Sequence, residues 1–181
     1  MLRGERSGLR ARLDEDVPIL HEELHDDVPE HGRADSGPWL PTSPGRDWSP
    51  FSVREPQDGT ARFSVVDLAS GTLAGSAILA GLDAHNRHAR LGMWLRPAYR
   101  GRGLGIDTLR LLCRYGFDIR GLHRLQLETL SDNRAMISTA QRVGFRHEGT
   151  LRESAWVDGR FQDEAVLGMH TGDRPPGHSS P

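Results

Sequence analysis

Residues 96–105, RPAYRGRGLG, set Gly101, Gly103 and Gly105 among Arg100, Arg102 and Leu104, just ahead of a leucine-rich run. A glycine-rich turn that opens a helix commonly holds a phosphate. Successive N–H groups converge on an oxyanion, the positive end of the helix adds to them, and glycine allows positive φ and close approach. Spacing narrows the choice of phosphate. The Walker form GxxxxGK[ST] needs a lysine, and all 23 Lys+Arg residues of this chain are arginine. The dinucleotide form GxGxxG would need glycine at Ile106 when counted from Gly101, or at Thr108 when counted from Gly103. Neither nucleotide turn fits. An anion nest over Arg102–Gly105 remains, with Arg100 and Arg102 supplying charge; the same residues could form an ordinary strand-to-helix turn with solvated arginines.

The surrounding elements have to position that turn. HARLGMWLRP (88–97) reads as a strand ending at Pro97. LGIDTLRLLCRYGFDIRG then sets Leu104, Leu109, Leu112, Cys113 and Gly116 at helical spacing, with Gly121 as its stop. HRLQLETL (123–130) follows as a strand and SDNRAMISTAQRVG as a helix capped by Ser131 or Asp132. The last segment forms a hairpin about Asp158–Gly159. Upstream, ARFSVVDLA and TLAGSAILAGL are two strands turning at Ser70–Gly71, which complete an antiparallel meander with 88–97. GLRARL (8–13) adds a first strand, and DEDVPILHEELHD a short helix capped by Asp14. Residues 27–58, rich in Pro, Gly, Ser and Asp with Trp39 and Trp48, read as irregular connections with one helical turn. Residues 171–181 read as a disordered tail. The order is an α+β layout with one strand–helix–strand unit centred on the glycine turn.

Composition excludes several classes of function. At 181 residues with 36% hydrophobic and 27% charged residues, a single globular domain is expected. No apolar run is long enough to cross a membrane, and the N-terminus lacks the apolar core of a signal peptide. A net charge of −2 without a basic tail argues against nucleic acid as the main partner. The single cysteine, Cys113, lies in the apolar helical pattern; it reads as a core residue in a cytoplasmic protein rather than a reactive thiol. Exclusive use of arginine suggests a GC-rich, bacterial genome.

The strand ending LRP, the turn RGRGLG, the segment LETLSDNRAM and the RVGF that follows resemble the GNAT superfamily of acyl-CoA-dependent N-acetyltransferases over residues 8–170. Within it, the late EGTLR…W..G...D pattern is similar to the RimJ/RimL branch of ribosomal-protein N-terminal acetyltransferases. The resemblance implies one domain over 1–170 with the GNAT fold: a mixed sheet of about six to seven strands, splayed between 88–96 and 123–130 and flanked by helices. It implies acetyl-CoA as cosubstrate and no metal. Pantetheine would lie in the splay against the backbone of Met93, Trp94 and Leu95. The diphosphate would sit on Arg100, Gly101, Arg102, Gly103, Leu104 and Gly105, with Ile106 lining the site. Arg100, Gly103 and Gly105 meet the family pattern [R/Q]-x-x-G-x-[G/A], and Asn133 matches the family asparagine that contacts the cofactor arm.

The implied reaction is direct attack of a neutral amine on the acetyl thioester, with a backbone N–H near Leu95 polarising the carbonyl. Three usual side chains are replaced. The family tyrosine falls at Ala140, the RimL-like serine at Met136, and the acid of the A-E-[LI]-G pattern at Arg90. Glu128 and Ser131 remain as catalytic candidates near the cleft, with the loop histidines His85 and His88 behind them. An α-amine of pKa near 7.8 is about 15% neutral at pH 7, against about 0.04% for a lysine amine, so an α-amine needs only a weak base.

The function so implied is acetyl-CoA-dependent acetylation of a primary amine, first a protein or peptide N-terminal α-amine. A small-amine or antibiotic-detoxifying acetyltransferase is the alternative within the same chemistry. A catalytically silent acyl-CoA-binding sensor is the alternative outside it, kept open by the three replaced positions. A homodimer is among the assemblies the resemblance implies. The run DEDVPILHEELHDDVPE (14–30), with eight acids and no arginine, is either a solvated helix face or an acidic lip for a cationic acceptor.

Overall fold

Short apolar runs bounded by turn residues draw the first half of the chain into an antiparallel meander, and helical spacing takes over after the glycine turn. The computed structural model describes residues 1–34, 37–43, 49–54 and 59–174. Its strands are β1 (Leu2–Arg3), β2 (Ser7–Arg10), β3 (Thr60–Asp67), β4 (Leu73–Asp83), β5 (His88–Leu95), β6 (Arg124–Leu130), β7 (Arg146–Val157) and β8 (Arg160–His170). Among the described residues they form one sheet in the order β1-β2-β3-β4-β5-β6-β8-β7. Neighbours are antiparallel except β5 and β6, which run parallel. The count of eight strands exceeds the six to seven expected, because Leu2–Arg3 adds an outer edge against Gly8 and Leu9.

The strand expected over 8–13 stops at Arg10, and the reason is Asp16. Its carboxylate accepts from the Leu13 N–H at 2.9 Å, the Ser64 hydroxyl at 2.7 Å and the Arg10 guanidinium at 2.5 and 2.8 Å. These bonds turn the chain out of the sheet just ahead of α1 (Asp16–Leu24), whose N-cap position is Glu15 rather than the expected Asp14. A second helix, α2 (Val28–Ala34), is longer than the one helical turn expected within 27–58. Asp27 starts it, its Oδ1 accepting from the Glu30 N–H at 3.1 Å, with Pro29 in the first turn.

Two helices follow the turn: α3 (Leu104–Arg114) and α4 (Arg134–Val143). The expected run to Gly121 is interrupted, since Tyr115–Ile119 widen into a π turn. Gly116 lies in it so close to β6 that a Cβ there would stand 2.9 Å from a Leu125 methyl. The cap of α4 is Asn133 rather than Ser131 or Asp132, its Oδ1 accepting from the Met136 N–H at 3.1 Å. Gly144 ends the helix at φ 120°, a left-handed conformation that suits glycine.

Leu109, Leu112, Val143 and Phe145 pack with Leu79, Leu125, Leu127 and Leu167 into the main core between α3, α4 and the sheet. Leu20 and Leu24 of α1 make a smaller cluster with Phe51, Leu73 and Trp94. Residues Thr171–Asp173 form a short 3₁₀ turn, and Arg174 pairs with Asp118 at 2.5 Å, so the expected tail is ordered at its start. Residues 175–181 and Trp48 lie outside the described residues. Among the described residues no helix is long and apolar enough to cross a membrane.

Candidate active site

β5 and β6 bond to one another only through His88–Arg90 against Arg124–Gln126. Beyond that point β5 follows β4 as far as the Leu95–Gly75 pair, while β6 follows β8 as far as Leu130–Glu164. The two halves of the sheet diverge and open a cleft of about 680 Å³. Met93, Trp94, Leu95, Arg100, Gly101, Gly103, Gly105, Ile106, Glu128 and Asn133 all line it, so the fold gathers most of the residues singled out from the sequence.

Strand alternation decides which backbone groups face the opening. The Arg96 N–H donates to Ala74 of β4 at 3.0 Å, while the Arg87 carbonyl accepts from Arg124 of β6 at 3.1 Å. Odd-numbered residues of β5 therefore present N–H and C=O to the cleft at Met93 and Leu95, and even-numbered ones present theirs to β4. Trp94 is corrected on this ground. Its backbone serves the sheet, and it reaches the cleft through its indole, whose N–H donates to the Ala34 carbonyl at 2.9 Å.

The glycine turn has the conformation an anion nest needs. Gly101 and Gly103 have φ of 72° and 82°, and nothing lies within 4 Å of a Cβ built at Gly101. Arg100 stands at its edge, donating from Nε to the Leu95 carbonyl at 3.0 Å and pairing with Glu30 of α2 at 2.8 Å. The side chains of two expected ligands face elsewhere. Arg102 pairs with Asp67 at 3.2 Å and stacks on the Tyr99 ring, leaving its backbone as the part of it in the nest. The Leu104 side chain, 3% exposed, belongs to the core, likewise leaving the backbone as the part of it in the nest.

The first turn of α3 is tied down by a group that no motif marks. Asp107 accepts from the N–H groups of Glu5, Arg6 and Ser7 and from the Ser7 hydroxyl at 2.7 to 3.2 Å. Burial works against its ionisation, but these donors outweigh burial and hold the carboxyl below its usual range. A Cβ at Gly4 would fall 2.4 Å from this carboxylate, so a glycine there permits the approach.

Asn133 has both ends of its amide occupied. Oδ1 caps α4, and Nδ2 donates to the Thr129 hydroxyl at 3.0 Å. Glu128 projects at the cleft from β6, accepting from Gln126 at 2.7 Å with the Arg90 guanidinium 3.7 Å away. The arginine that replaces the expected acid on β5 thus partners an acid on β6. Ser131 is exposed beyond the end of β6, its N–H bound to the Asp163 carbonyl at 2.9 Å, and does not line the cleft. His88 pairs with Asp83 at 3.6 Å, and neither His85 nor His88 reaches the cleft. Ala140 is buried, and Met136 lines the wall.

Sequence reasoning missed the part played by α2. Glu30 on Arg100, Arg33 on Asp132 at 2.8 Å and Ala34 under the Trp94 indole connect this helix to both halves of the splayed sheet. Much of the acidic run 14–30 is spent inside the molecule, with Asp16 on Arg10, Glu23 on Arg96, Asp26 beside His21 and Glu30 on Arg100. The Asp–x–Pro–Glu start of α2 was the available signal; its reach across the cleft had none.

Residues 6–146 match the family model of the acetyltransferase (GNAT) domain. The chain is 31% identical over 96 residues to the putative ribosomal N-acetyltransferase YdaF of Bacillus subtilis, covering 53% of this chain and 52% of that one. It is 28% identical over 106 residues to spermidine N(1)-acetyltransferase of Vibrio cholerae, covering 59% and 61%. The matches therefore span about half to three fifths of these curated relatives. A crystal structure of the Vibrio cholerae spermidine N-acetyltransferase with CoA and spermine superposes with a TM-score of 0.75 at 21% identity, over 93% of this chain and 97% of that one.

Proposed function

Because the chain belongs to the GNAT acetyltransferase family, we propose that it transfers the acetyl group of acetyl-CoA directly to a primary amine, the α-amine of a protein or peptide N-terminus. The cleft fits the cosubstrate. A free strand edge at Met93 and Leu95 suits an extended, amide-bearing arm, and the nest over Gly101–Gly105 with Arg100 suits a diphosphate. When bound, acetyl-CoA supplies the thioester carbonyl and a thiolate leaving group.

The chain's own residues do the rest. The Leu95 N–H is the donor available to the carbonyl oxygen, while Arg100 holds the Leu95 carbonyl in the next peptide unit. Glu128 takes the surplus proton as the amine nitrogen forms the new C–N bond and the C–S bond breaks, passing it on to solvent. Arg90 keeps Glu128 directed along the cleft. Asn133, fixed by Thr129, presents its amide beside the cofactor arm.

The observation that carries the choice of acceptor is the charge of the cleft wall. Arg33, Arg90, Arg100 and Arg142 line it against Glu30, Glu128 and Glu164, an excess of cations. Each glutamate is already engaged, Glu30 by Arg100, Glu128 by Arg90 and Glu164 by the Ser154 hydroxyl. A polyamine with several ammonium groups would need free carboxylates; a peptide with one amine would not. A ribosomal and a spermidine acetyltransferase both stand among the relatives, and this balance favours the first. Bacterial relatives and the free, buried Cys113 support a reducing, cytoplasmic setting.

Thiol release from acetyl-CoA tests the reading, using peptides with free N-termini, the same peptides N-terminally blocked, and spermidine. Turnover on free peptides that disappears on blocking is expected. Higher kcat/KM with spermidine would replace the peptide by a polyamine. Acetyl-CoA binding without turnover on any amine would turn the enzyme into a sensor.

A further inference from the structure

A second set of chemistry-bearing side chains lies away from the cleft lining, where the C-terminal turn of α1 meets residues 39–43. His21 and His25 are four residues apart and project from one side of the helix end, with ring centroids 4.5 Å apart. Their exposures are 0% and 3%, so their nitrogens need partners inside the protein. His21 Nδ1 lies 3.0 Å from the Ser49 hydroxyl. Its Nε2 faces two oxygens at once, the Thr42 carbonyl at 2.9 Å and Asp26 Oδ1 at 3.2 Å. His25 Nε2 faces the Leu40 carbonyl at 2.9 Å and the Thr42 hydroxyl at 3.2 Å, while its buried Nδ1 has no hydrogen-bond partner.

We propose that His21, His25 and Asp26 form a site for a divalent transition-metal ion of the zinc class. One ligand atom from each lies within 4.8 Å of the other two. At zinc-to-ligand distances of about 2.0–2.1 Å, neighbouring corners of a tetrahedron are about 3.3 Å apart. The 3.2 Å between His21 Nε2 and Asp26 Oδ1 matches that edge without any movement. A single proton on Nε2 serves one oxygen well; a dication in the same place serves the imidazole, the carboxylate and the Thr42 carbonyl together.

The Ser49 hydroxyl fits as the outer partner that receives Nδ1–H and leaves Nε2 free to ligate. His25 completes the set with a ring nitrogen, and ligation through Nδ1 would relieve the buried ring nitrogen that lacks a hydrogen-bond partner. Two imidazoles and one carboxylate select zinc-like ions over magnesium or calcium, which take oxygen ligands. The ion would fasten the end of α1 to residues 39–43, where the Trp39 indole already donates to the His25 carbonyl at 3.0 Å. The same helix end carries Leu24, which lines the cleft, and Glu23, which holds Arg96. A metal here is therefore structural, and its binding does not depend on the acetyl-transfer reading.

The test uses the full, tag-free chain stripped with a chelator and titrated with Zn²⁺ and Co²⁺. One equivalent should bind, Co²⁺ should show the visible bands of a four-coordinate site, and Zn²⁺ at a hundredfold excess over Kd should raise Tm by roughly 5–10 °C. Ser49→Ala should weaken Zn²⁺ about tenfold or more through the outer hydrogen bond. Asp26→Asn should weaken it as well, at a side chain 54% exposed whose replacement the fold tolerates. The proposal falls if the wild-type chain binds no stoichiometric Zn²⁺, or if folded Asp26→Asn binds it unchanged. His25→Gln, where it folds, must lose the site too.

Discussion

Arg100→Ala removes the guanidinium that links the Leu95 carbonyl to Glu30 at the edge of the nest. The two partners of the ion pair are 44% and 38% exposed, so the pair contributes no more than about 1 kcal/mol to folding. For a chain of this size, Tm should fall by at most about 2–4 °C. Binding should respond far more strongly. A hydrogen bond to a charged group contributes about 1.5–3 kcal/mol, which converts to a roughly 10- to 150-fold loss of acetyl-CoA affinity. The Leu95 N–H remains, so kcat at saturating acetyl-CoA should change little. Glu30→Gln makes the opposite case. In the free protein Glu30 holds the guanidinium that the diphosphate would claim, and an exposed pair of about 0.2–1 kcal/mol predicts affinity tightened about 1.4- to 5-fold. Calorimetry with acetyl-CoA on both variants, beside steady-state rates and melting curves, measures all three effects. Unchanged affinity in a folded Arg100→Ala chain, or weaker affinity in Glu30→Gln, would refute the phosphate role of Arg100.

Three further outcomes follow from other parts of the molecule. Glu128→Gln should lower kcat about a hundredfold, the low end for a general base because an α-amine needs little help, while leaving acetyl-CoA affinity alone; an unchanged kcat removes Glu128 from the chemistry. Asp16 and Asp107 both have folded pKa values below their unfolded ones. For Asp16, burial is outweighed by Arg10, the Leu13 N–H and the Ser64 hydroxyl; for Asp107, it is outweighed by the 5–7 backbone and the Ser7 hydroxyl. The stability they supply is complete above the unfolded value of about 3.9 and is lost as pH falls through the lower folded values. Melting temperature should therefore fall steeply below about pH 4, and Asp107→Asn should be less stable at pH 7 with a shallower acid decline; an unaltered pH profile would count against these bonds. Burial pushes the Cys113 thiol up to about 12, so a thiol reagent at pH 8 should label it only after unfolding, and rapid labelling of the native chain would contradict its buried position.

Most strands and the two helices after the turn were legible because their signal is local: a bounded run of small and apolar residues in 73–80, and one helical face from Leu104 to Cys113. The glycine turn was legible for a related reason. Its glycines are needed by backbone conformation within a few residues, which Gly101 and Gly103 at positive φ bear out. Residues 27–34 were misread because a helix of two turns shows too little of its period, although Asp27 and Pro29 mark its start.

What the sequence determined by itself, then, was the acetyltransferase frame, the glycine turn proposed here for the diphosphate, and the absence of the usual catalytic tyrosine, serine and glutamate. These are matters of residue type and spacing along the chain. Only the tertiary structure decided that Arg102 belongs to Asp67 and Leu104 to the core, that Arg100 is shared with Glu30, and that Arg90 on one strand answers Glu128 on the next. The partners in those ion pairs are separated by 35 to 70 residues, and a side chain with several chemically equal partners takes the one that the packing of distant segments brings within reach.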